Sequence, residues 1–164
     1  MGPRSSQPPP PLPAPQSALA TTLRNAFANT INHRLPKEQI AASKKWGSLF
    51  VVNVLFKMYF KLNQLRQCKF LINAVEGAGF PALEPPPAGA PPLGGLRPGA
   101  GYSGFPRAQL VTYRYYTGML ALYDEQYARA NACLSYGLQH CHGEYAGNRR
   151  RMLAALVPVR WEGG

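Results

Sequence analysis

The sequence predicts an all-α protein made of stacked helix pairs, and three observations support this prediction. From Trp46 to Phe60 the chain is apolar almost without a break, which is typical of a helix that neighbours bury on several sides. The segments that follow show apolar residues at helical spacing, and none alternates apolar and polar residues as a half-buried strand does. Two stretches rich in Pro and Gly separate the helical parts.

The first two predicted helices lie in the N-terminal half. The first covers residues 18–33, and the second runs from an N-cap at Ser43 to about residue 62. Along the first helix, apolar residues recur every fourth position: Leu23, Phe27 and Ile31. The apolar run of the second is interrupted by one polar stripe: Asn53, Lys57 and Lys61. This stripe is interpreted either as the one solvated strip of a buried helix or as part of a basic face.

Four more helices are predicted from the same periodicity. The third covers residues 65–75, the fourth 107–123 and the fifth 125–141. The sixth covers residues 148–157, and Pro158 is expected to end it because a proline lacks the backbone N–H that a helix needs.

Composition divides the chain into four parts. Residues 1–18 are predicted to be a disordered Pro-rich tail, since the first 15 residues hold seven prolines. Residues 77–106 hold eight Pro and eight Gly and are predicted to be a disordered insertion, because a loop of this length is rare inside a compact domain. The helical parts are therefore residues 19–76 and 107–161.

An internal repeat connects the two helical parts. The apolar positions of the third helix recur 62 residues later in the fifth. If the insertion of about 28 residues is subtracted, the period is about 34, the length of a tetratricopeptide repeat. Phe56 stands at the position that Gly118 occupies in the second pair, so the first pair is expected to be more open where its helices cross. Each pair leaves an apolar face that the next pair must cover.

The residues expected to make structural contacts follow from this scheme. Large side chains fill the grooves between helices, and small ones allow two helices to approach closely. The predicted contacts are Trp46, Phe50, Phe56, Tyr113, Tyr116, Gly118, Ala130 and Leu134.

Catalytic, metal and membrane functions are not supported. Asp124 and Glu125 lie at a helix start, where acids are common, and the chain has no Gly-rich phosphate loop between a strand and a helix. His140, Cys141 and His142 form a short cluster, with Cys133 eight residues earlier, but three adjacent residues of a helix cannot all face one ion, so no metal and no cofactor is predicted. The apolar run of residues 49–60 is shorter than the roughly 20 residues of a membrane span. The odd number of cysteines favours a reducing compartment.

The charge distribution favours acidic partners. The net charge is +11, and residues 24–76 carry nine Lys or Arg against two Glu, a balance of +7. An excess of this kind attracts nucleic acid or acidic protein segments. The candidate contacts are Lys57 and Lys61 in the second helix and Arg149, Arg150 and Arg151 at the start of the sixth. Positive charge at a helix N-terminus opposes the helix dipole unless an anion compensates it, and solvated arginines are the alternative interpretation.

Four blocks of sequence carry a resemblance to a known family. They are SKKWGSLFVVNVLFKMYFKLNQLRQCKFLI, LVTYRYYTGMLALYDEQY, LSYGLQHC and NRRRMLAALVPV. Together they resemble the PCI family, from about Leu23 to Val159 with residues 77–106 left out.

The resemblance implies a superhelix of helix pairs followed by a winged-helix module, and a noncatalytic subunit of the nuclear machinery that couples transcription to messenger-RNA export. The implied partners are a larger PCI-containing scaffold chain, a small acidic proteasome-associated chain and possible RNA or DNA. The winged helix is absent from this sequence, so an apolar face near Leu153, Leu156 and Val157 is expected to be uncovered. The alternatives are a tetratricopeptide-like protein-binding module, a signalosome-associated PCI protein and a nonfunctional truncation product.

Overall fold

The fold is known from a computed structural model, which describes residues 14–34, 43–78, 83 and 105–162. Within these ranges the chain forms six α-helices, one short 3₁₀ helix and no strand. The α-helices are α1 (Ala14–Ile31), α2 (Ser48–Lys61), α3 (Leu65–Gly77), α4 (Arg107–Tyr123), α5 (Tyr127–His140) and α6 (Ala146–Glu162), and the 3₁₀ helix, Lys44–Gly47, leads into α2. The prediction of an all-α fold is confirmed.

Two helix ends differ from the prediction. The first helix begins at Ala14, so residues 14–18 are helical and do not belong to the predicted tail. The last helix continues through Pro158 to Glu162. Pro158 lies near the end of α6, and the carbonyl it leaves unpaired belongs to Ala154, an exposed residue whose backbone water can reach. A proline this close to a helix end therefore does not stop the helix.

The insertion contributes to the core at its ends. Phe105 is buried, and its ring lies 5.9 Å from that of Trp46 in an edge-on arrangement. Leu83 is partly buried against the same core. These two side chains therefore belong to the core, although they lie within the predicted insertion of residues 77–106. Residues 1–13 of the predicted tail, and most of the predicted insertion, lie outside the described residues.

The turns within the two helix pairs have the same geometry, 62 residues apart. Asn63 and Glu125 both adopt the left-handed backbone conformation, with φ of 53° and 59°. In each turn the next N–H donates to a carbonyl five residues back at 2.8 Å: Gln64 to Tyr59, and Gln126 to Ala121. The internal repeat seen in the sequence is therefore also a repeat of backbone structure, with α2 and α3 as one pair and α4 and α5 as the next.

Aromatic rings join the two pairs along α2 and α4. Phe56 is fully buried, and its ring lies 5.8 Å from Tyr113 and 5.7 Å from Tyr116. At the N-terminal end of the contact, Asn53 donates from its side-chain nitrogen to the Gln109 carbonyl at 2.9 Å. Because the N-terminal halves of α2 and α4 lie together and so do the C-terminal halves, the two helices run in the same direction.

The second pair is more closely packed than the first. A Cβ atom built on Gly118 would lie 2.8 Å from Leu134 Cγ and 3.2 Å from Cys133 Cβ, so α4 and α5 touch at a point where only Gly fits. The helices α2 and α3, with Phe56 at the equivalent position, are in much less extensive contact. On the other side of the second pair, α6 packs through buried Met152, Leu156 and Val159.

Alkaline pH is expected to destabilise the fold. Burial raises the pKa of the Cys68 thiol to about 12 and also raises the pKa of the Tyr113 hydroxyl. As the pH rises above about 9, the unfolded chain loses first the Cys and then the Tyr protons, while the folded chain still binds them. The free energy of unfolding should therefore be constant near pH 7–8 and fall as the pH rises from about 9 towards 12. Urea unfolding across this range measures the effect. The slope should be shallower in Tyr113→Phe, and a flat profile would contradict the prediction.

Candidate partner-binding surface

The second helix presents a basic stripe to solvent. At about 100° per residue, Lys57 and Lys61 lie within roughly 40° of each other on α2, and both are exposed. Neither lysine forms an ion pair with any residue in the described ranges. The stripe lies next to the α2–α4 seam, since Lys57 is rotated by only about 60° around the helix from Phe60, whose ring contacts Tyr116 of α4.

A row of aromatic rings continues from this stripe onto α4. The ring of Phe60 lies 4.9 Å from Tyr116 and 6.4 Å from Tyr123, an exposed residue at the end of α4. Burial raises the pKa of Tyr116; nearby Tyr115 raises it further, while Arg151 lowers it. Arg151 and Tyr116 line the same cleft, so α6 brings a cation close to this row.

Arg151 lines a small cleft between α4 and α6. The cleft has a volume of about 130 Å³, and its walls are Val111, Thr112, Tyr115, Tyr116, Asn148, Arg151 and Met152. Arg151 is exposed and has no ion-pair partner in the described part of the chain. The cleft extends the aromatic row to a third helix.

We name this set of side chains on α2, α4 and α6 the basic aromatic face: Lys57, Lys61, Tyr116, Tyr123 and Arg151. The acids that form ion pairs bind cations elsewhere, at 2.8 Å for Asp124 with Lys69 and 2.7 Å for Glu76 with Arg129. The face therefore presents three cations together with tyrosine hydroxyls. None of the three cations has an acidic partner in the described residues. Such a surface is suited to carboxylate or phosphate groups of a partner.

Arg149 does not belong to this surface. Its Nη1 atom donates to the carbonyls of Leu138 and Cys141 at 3.2 and 3.3 Å, at the C-terminal end of α5. The predicted role of Arg149 as a contact for acidic partners is corrected accordingly, because its guanidinium satisfies carbonyls that the end of α5 leaves free. The end of α5 also supplies the negative partial charge that offsets a cation in the first turns of α6. Arg150 is exposed, at the start of the outer side of α6.

Asn53 is not part of the solvated stripe either. It is buried, and its side-chain nitrogen donates both to the Gln109 carbonyl and, at 2.8 Å, to the Gln109 side-chain oxygen. Successive members of the stripe are rotated by about 40° around the helix, which is enough to turn Asn53 into the seam with α4. A single amide in an otherwise apolar segment was the signal for such a buried hydrogen bond.

Most of the predicted structural contacts lie in the core, but Phe50 does not. Phe56, Tyr113, Ala130 and Leu134 are buried, Trp46 and Tyr116 are partly buried against the core, and Gly118 lies at the α4–α5 contact. The side chain of Phe50 is 58% exposed. It lies on the same side of α2 as Lys57 and Lys61, which no described element covers, so its predicted packing role is corrected. Leu156, expected to be uncovered, is buried.

The cysteines and histidines near the end of α5 have ordinary structural roles. The His140 ring stacks on Tyr136 at 4.1 Å, and its Nδ1 atom lies 2.9 Å from the Tyr136 carbonyl. In the described ranges, no three His, Cys, Asp or Glu side chains are grouped as metal ligands would be. The helices of these ranges also include none with the length and apolar character of a membrane crossing.

Sequence reasoning missed Tyr123 and Gln109. Tyr123 lies seven residues after Tyr116 and so two turns along the same side of α4. This spacing could have marked it as a neighbour of the basic stripe. Nothing in the sequence pairs Gln109 with Asn53, because the two residues are 56 positions apart and meet only when α2 and α4 pack.

Comparison with known proteins identifies relatives over most of the chain. PCI domain-containing protein 2 of Danio rerio is 37% identical over 118 residues, which are 72% of this chain and 24% of the relative. The homolog of that protein in Dictyostelium discoideum is 35% identical over 147 residues, 90% of this chain and 29% of the relative. A protein named Protein CSN12 homolog, from Gibberella zeae, is 33% identical over 138 residues, 84% of this chain and 26% of the relative.

No family model matches the chain, and no solved structure matches it. The assignment of the chain to a family rests on these relatives and on the all-helical fold of stacked pairs that the resemblance implies. The chain therefore belongs, over most of its length, to the family of PCI domain-containing proteins, and it spans about a quarter of the length of the curated relatives it matches.

Proposed function

We propose that the protein is a noncatalytic helical subunit of transcription-and-export complex 2, the nuclear assembly that couples transcription to messenger-RNA export. In this role it binds a larger PCI-containing scaffold chain and a small acidic proteasome-associated subunit. The observation that supports the proposal most directly is the basic aromatic face, where Lys57 and Lys61 of α2 and Arg151 of α6 have no acidic partner in the described residues. The relatives named PCI domain-containing protein 2 support the choice of assembly.

The geometry of the face favours an acidic protein segment over RNA or DNA. The Tyr116 ring is tilted by 54° against Phe60 and by 64° against Tyr115, so its neighbours cover much of its surface. Bases that bind single-stranded sites need open ring faces on which to stack. Carboxylates need only donors, which the cations and the tyrosine hydroxyls supply.

Removing the three cations should weaken binding of an acidic segment. In the full chain, the triple variant Lys57→Ala, Lys61→Ala, Arg151→Ala should bind a labelled Asp/Glu-rich peptide about tenfold more weakly, since each exposed charge pair contributes about 0.2–1 kcal/mol. The affinity of the unmodified chain should also fall as salt rises. Fluorescence anisotropy of the labelled peptide at low and at physiological salt measures both effects.

The matched control removes three exposed cations elsewhere: Arg24→Ala, Lys44→Ala, Arg66→Ala. Its peptide affinity should stay within about twofold of the parent chain, apart from a small long-range charge effect. Equal losses in both triple variants would contradict a specific face. Tighter binding of a single-stranded RNA of equal length would favour direct nucleic-acid binding instead.

The role in the assembly has its own test. Depletion of the protein should retain polyadenylated RNA in the nucleus, and the parent chain should restore export while the Lys57, Lys61 and Arg151 triple variant should not. The larger PCI-containing chain should purify with the parent chain from nuclear extracts. Normal export after depletion would contradict the proposed role.

A second candidate is a signalosome-associated PCI subunit. The observation in its favour is that several relatives at 33% identity bear the name Protein CSN12 homolog. Affinity purification separates the two candidates, because this alternative predicts signalosome subunits with the tagged chain and no messenger-RNA export factors.

A further inference from the structure

A wide cleft opens where the end of α5 meets the beginnings of α4 and α6, and we name it the α5 cleft. Its volume is about 500 Å³, which lies within the range of roughly 300–1,000 Å³ that is typical of small-molecule sites. No residue of the basic aromatic face lines it. The α5 cleft is therefore a separate candidate for a binding site.

Part of the wall of the α5 cleft is apolar. Val111 and Cys141, which line it, are buried, and Ala108 lies about one turn before Val111 on the same side of α4. Two rings also line the cleft: those of His142 and Tyr145 lie 6.2 Å apart in an edge-on arrangement. Flat apolar rings pack well against such groups, so the cleft suits a ligand that contains a ring.

The charge beside the α5 cleft is positive. Arg107 lines the cleft, is exposed and forms no ion pair with any described residue. Arg149 lies next to the cleft, because its Nη1 atom donates to the Cys141 carbonyl at 3.3 Å. The acid of the turn before α6, Glu144, is 84% exposed, and its carboxylate lies 3.6 Å from His142 Nδ1. The arginine that lines the cleft is therefore available to an anionic group, and a guanidinium fits a phosphate well.

His140 provides the cleft with a hydrogen-bonding atom of known type. Its structural contacts use one face of the ring, which stacks on Tyr136, and Nδ1, which lies 2.9 Å from the Tyr136 carbonyl. Because a carbonyl can only accept, Nδ1 carries a hydrogen atom, and Nε2 of the neutral ring is an acceptor. A ligand with a hydroxyl or amino group can donate to this atom.

We infer that the α5 cleft binds a free nucleoside 5′-monophosphate. This class of ligand combines the three properties that the cleft requires: a flat ring, hydroxyl or amino donors, and a phosphate. The base packs against the apolar wall, the phosphate binds Arg107, and a hydroxyl or amino group donates to His140. The inference does not rest on the proposed function, because it concerns another ligand and other residues.

A titration of the ¹⁵N-labelled full chain with AMP, followed by NMR, tests the inference. AMP should shift the amide signals of residues that line the cleft, with a Kd below about 1 mM. Arg107→Ala should weaken AMP binding about fivefold, because the phosphate loses a cation. The same variant should leave the affinity for adenosine, which has no phosphate, unchanged. A purely structural role of Arg107 would affect both ligands equally.

The second variant, His140→Phe, keeps a ring against Tyr136 and removes Nε2. It should weaken both AMP and adenosine about fivefold, because the donor of the ligand loses its acceptor. Arg66→Ala is the matched control for charge: it removes an exposed cation of α3 and should keep the AMP affinity within about twofold. Circular dichroism should show the parent helix content in all three variants.

The test is separable from that of the proposed function. The double variant Lys57→Ala, Lys61→Ala should bind AMP normally, and Arg107→Ala and His140→Phe should bind the Asp/Glu-rich peptide within about twofold of the parent chain. Loss of peptide binding with AMP binding intact would contradict the proposed function alone. Loss of AMP binding with peptide binding intact would contradict this inference alone.

Four outcomes would overturn the inference. The first is the absence of AMP-dependent shifts in the cleft, and the second is an equal effect of Arg107→Ala on AMP and adenosine. The third is equal affinity for inorganic phosphate and AMP, because the cleft would then bind anions without using the ring. The fourth is a short 5′-phosphorylated RNA that binds the cleft more tightly than AMP, because that result assigns the cleft to RNA.

Discussion

Replacement of Phe56 by Ala is expected to lower the free energy of unfolding by about 3–5 kcal/mol. The Phe56 side chain is fully buried, and its ring contacts Tyr113 and Tyr116 at centroid distances of 5.8 and 5.7 Å. These contacts form the centre of the α2–α4 seam, where the first helix pair meets the second. Small domains are stable by only about 5–15 kcal/mol, so the loss should leave a substantial unfolded fraction. Urea unfolding at 25 °C, followed by circular dichroism, measures it.

Phe70→Ala provides the matched control for this prediction. It deletes the same atoms from a side chain that is mostly exposed, so its effect should lie within about 0.5 kcal/mol. A loss below about 1 kcal/mol for Phe56→Ala would contradict the packing described here, because it would mean that the two helix pairs do not depend on this contact.

The helices and their pairing were predictable because the signals are local. Apolar residues at helical spacing mark α2 to α5, and the 62-residue repeat places Asn63 and Glu125 at equivalent turns, where the structure has φ of 53° and 59°. The sequence also predicts that Phe56 leaves the first helix pair more open, whereas Gly118 lets the helices of the second pair approach closely. The structure agrees with this prediction. Each of these inferences needs only residues within one helix pair, or a comparison of one pair with the other.

The parts that the sequence did not predict depend on distant partners. In the sequence Phe105 lies at the end of a Pro- and Gly-rich segment, but it is buried because Trp46 lies opposite it. Asn53 resembles a member of the lysine stripe until Gln109 approaches it from α4. In the same way, Arg149 is held by the end of α5. These contacts arise only from the tertiary packing, which local periodicity does not specify.

The charged residues of the candidate surface were predictable from the sequence, but the aromatic residues that lie beside them were not. Lys57, Lys61 and Arg151 stood out from the sequence because they are basic residues at helical spacing or at a helix start. Their association with Tyr116 and Tyr123 required the parallel packing of α2 and α4. The sequence therefore indicated an acidic partner, and the structure defines the surface on which we propose it binds.

Replacement of Gly118 by Val should destabilise the protein by about 3 kcal/mol, through overpacking of the α4–α5 contact. Even a Cβ atom at this position would lie 2.8 Å from Leu134 Cγ, and Leu134 is fully buried, so it cannot turn out into solvent. Helix propensity acts in the opposite direction, because replacing a helical Gly with Ala gains only about 0.5–1 kcal/mol. Gly118→Ala should therefore also be destabilising, though by less than Gly118→Val. Urea unfolding of both variants measures the order.

Gly147→Ala separates the steric effect from helix propensity. Gly147 lies in the first turn of α6, and a Cβ atom there would meet nothing within 4 Å. Its substitution should therefore stabilise the protein slightly, or leave it unchanged. If Gly118→Ala stabilised the protein as Gly147→Ala does, α4 and α5 would not be in contact at this point. In that case the second helix pair would not require a small residue at position 118, which is equivalent to Phe56 in the first pair.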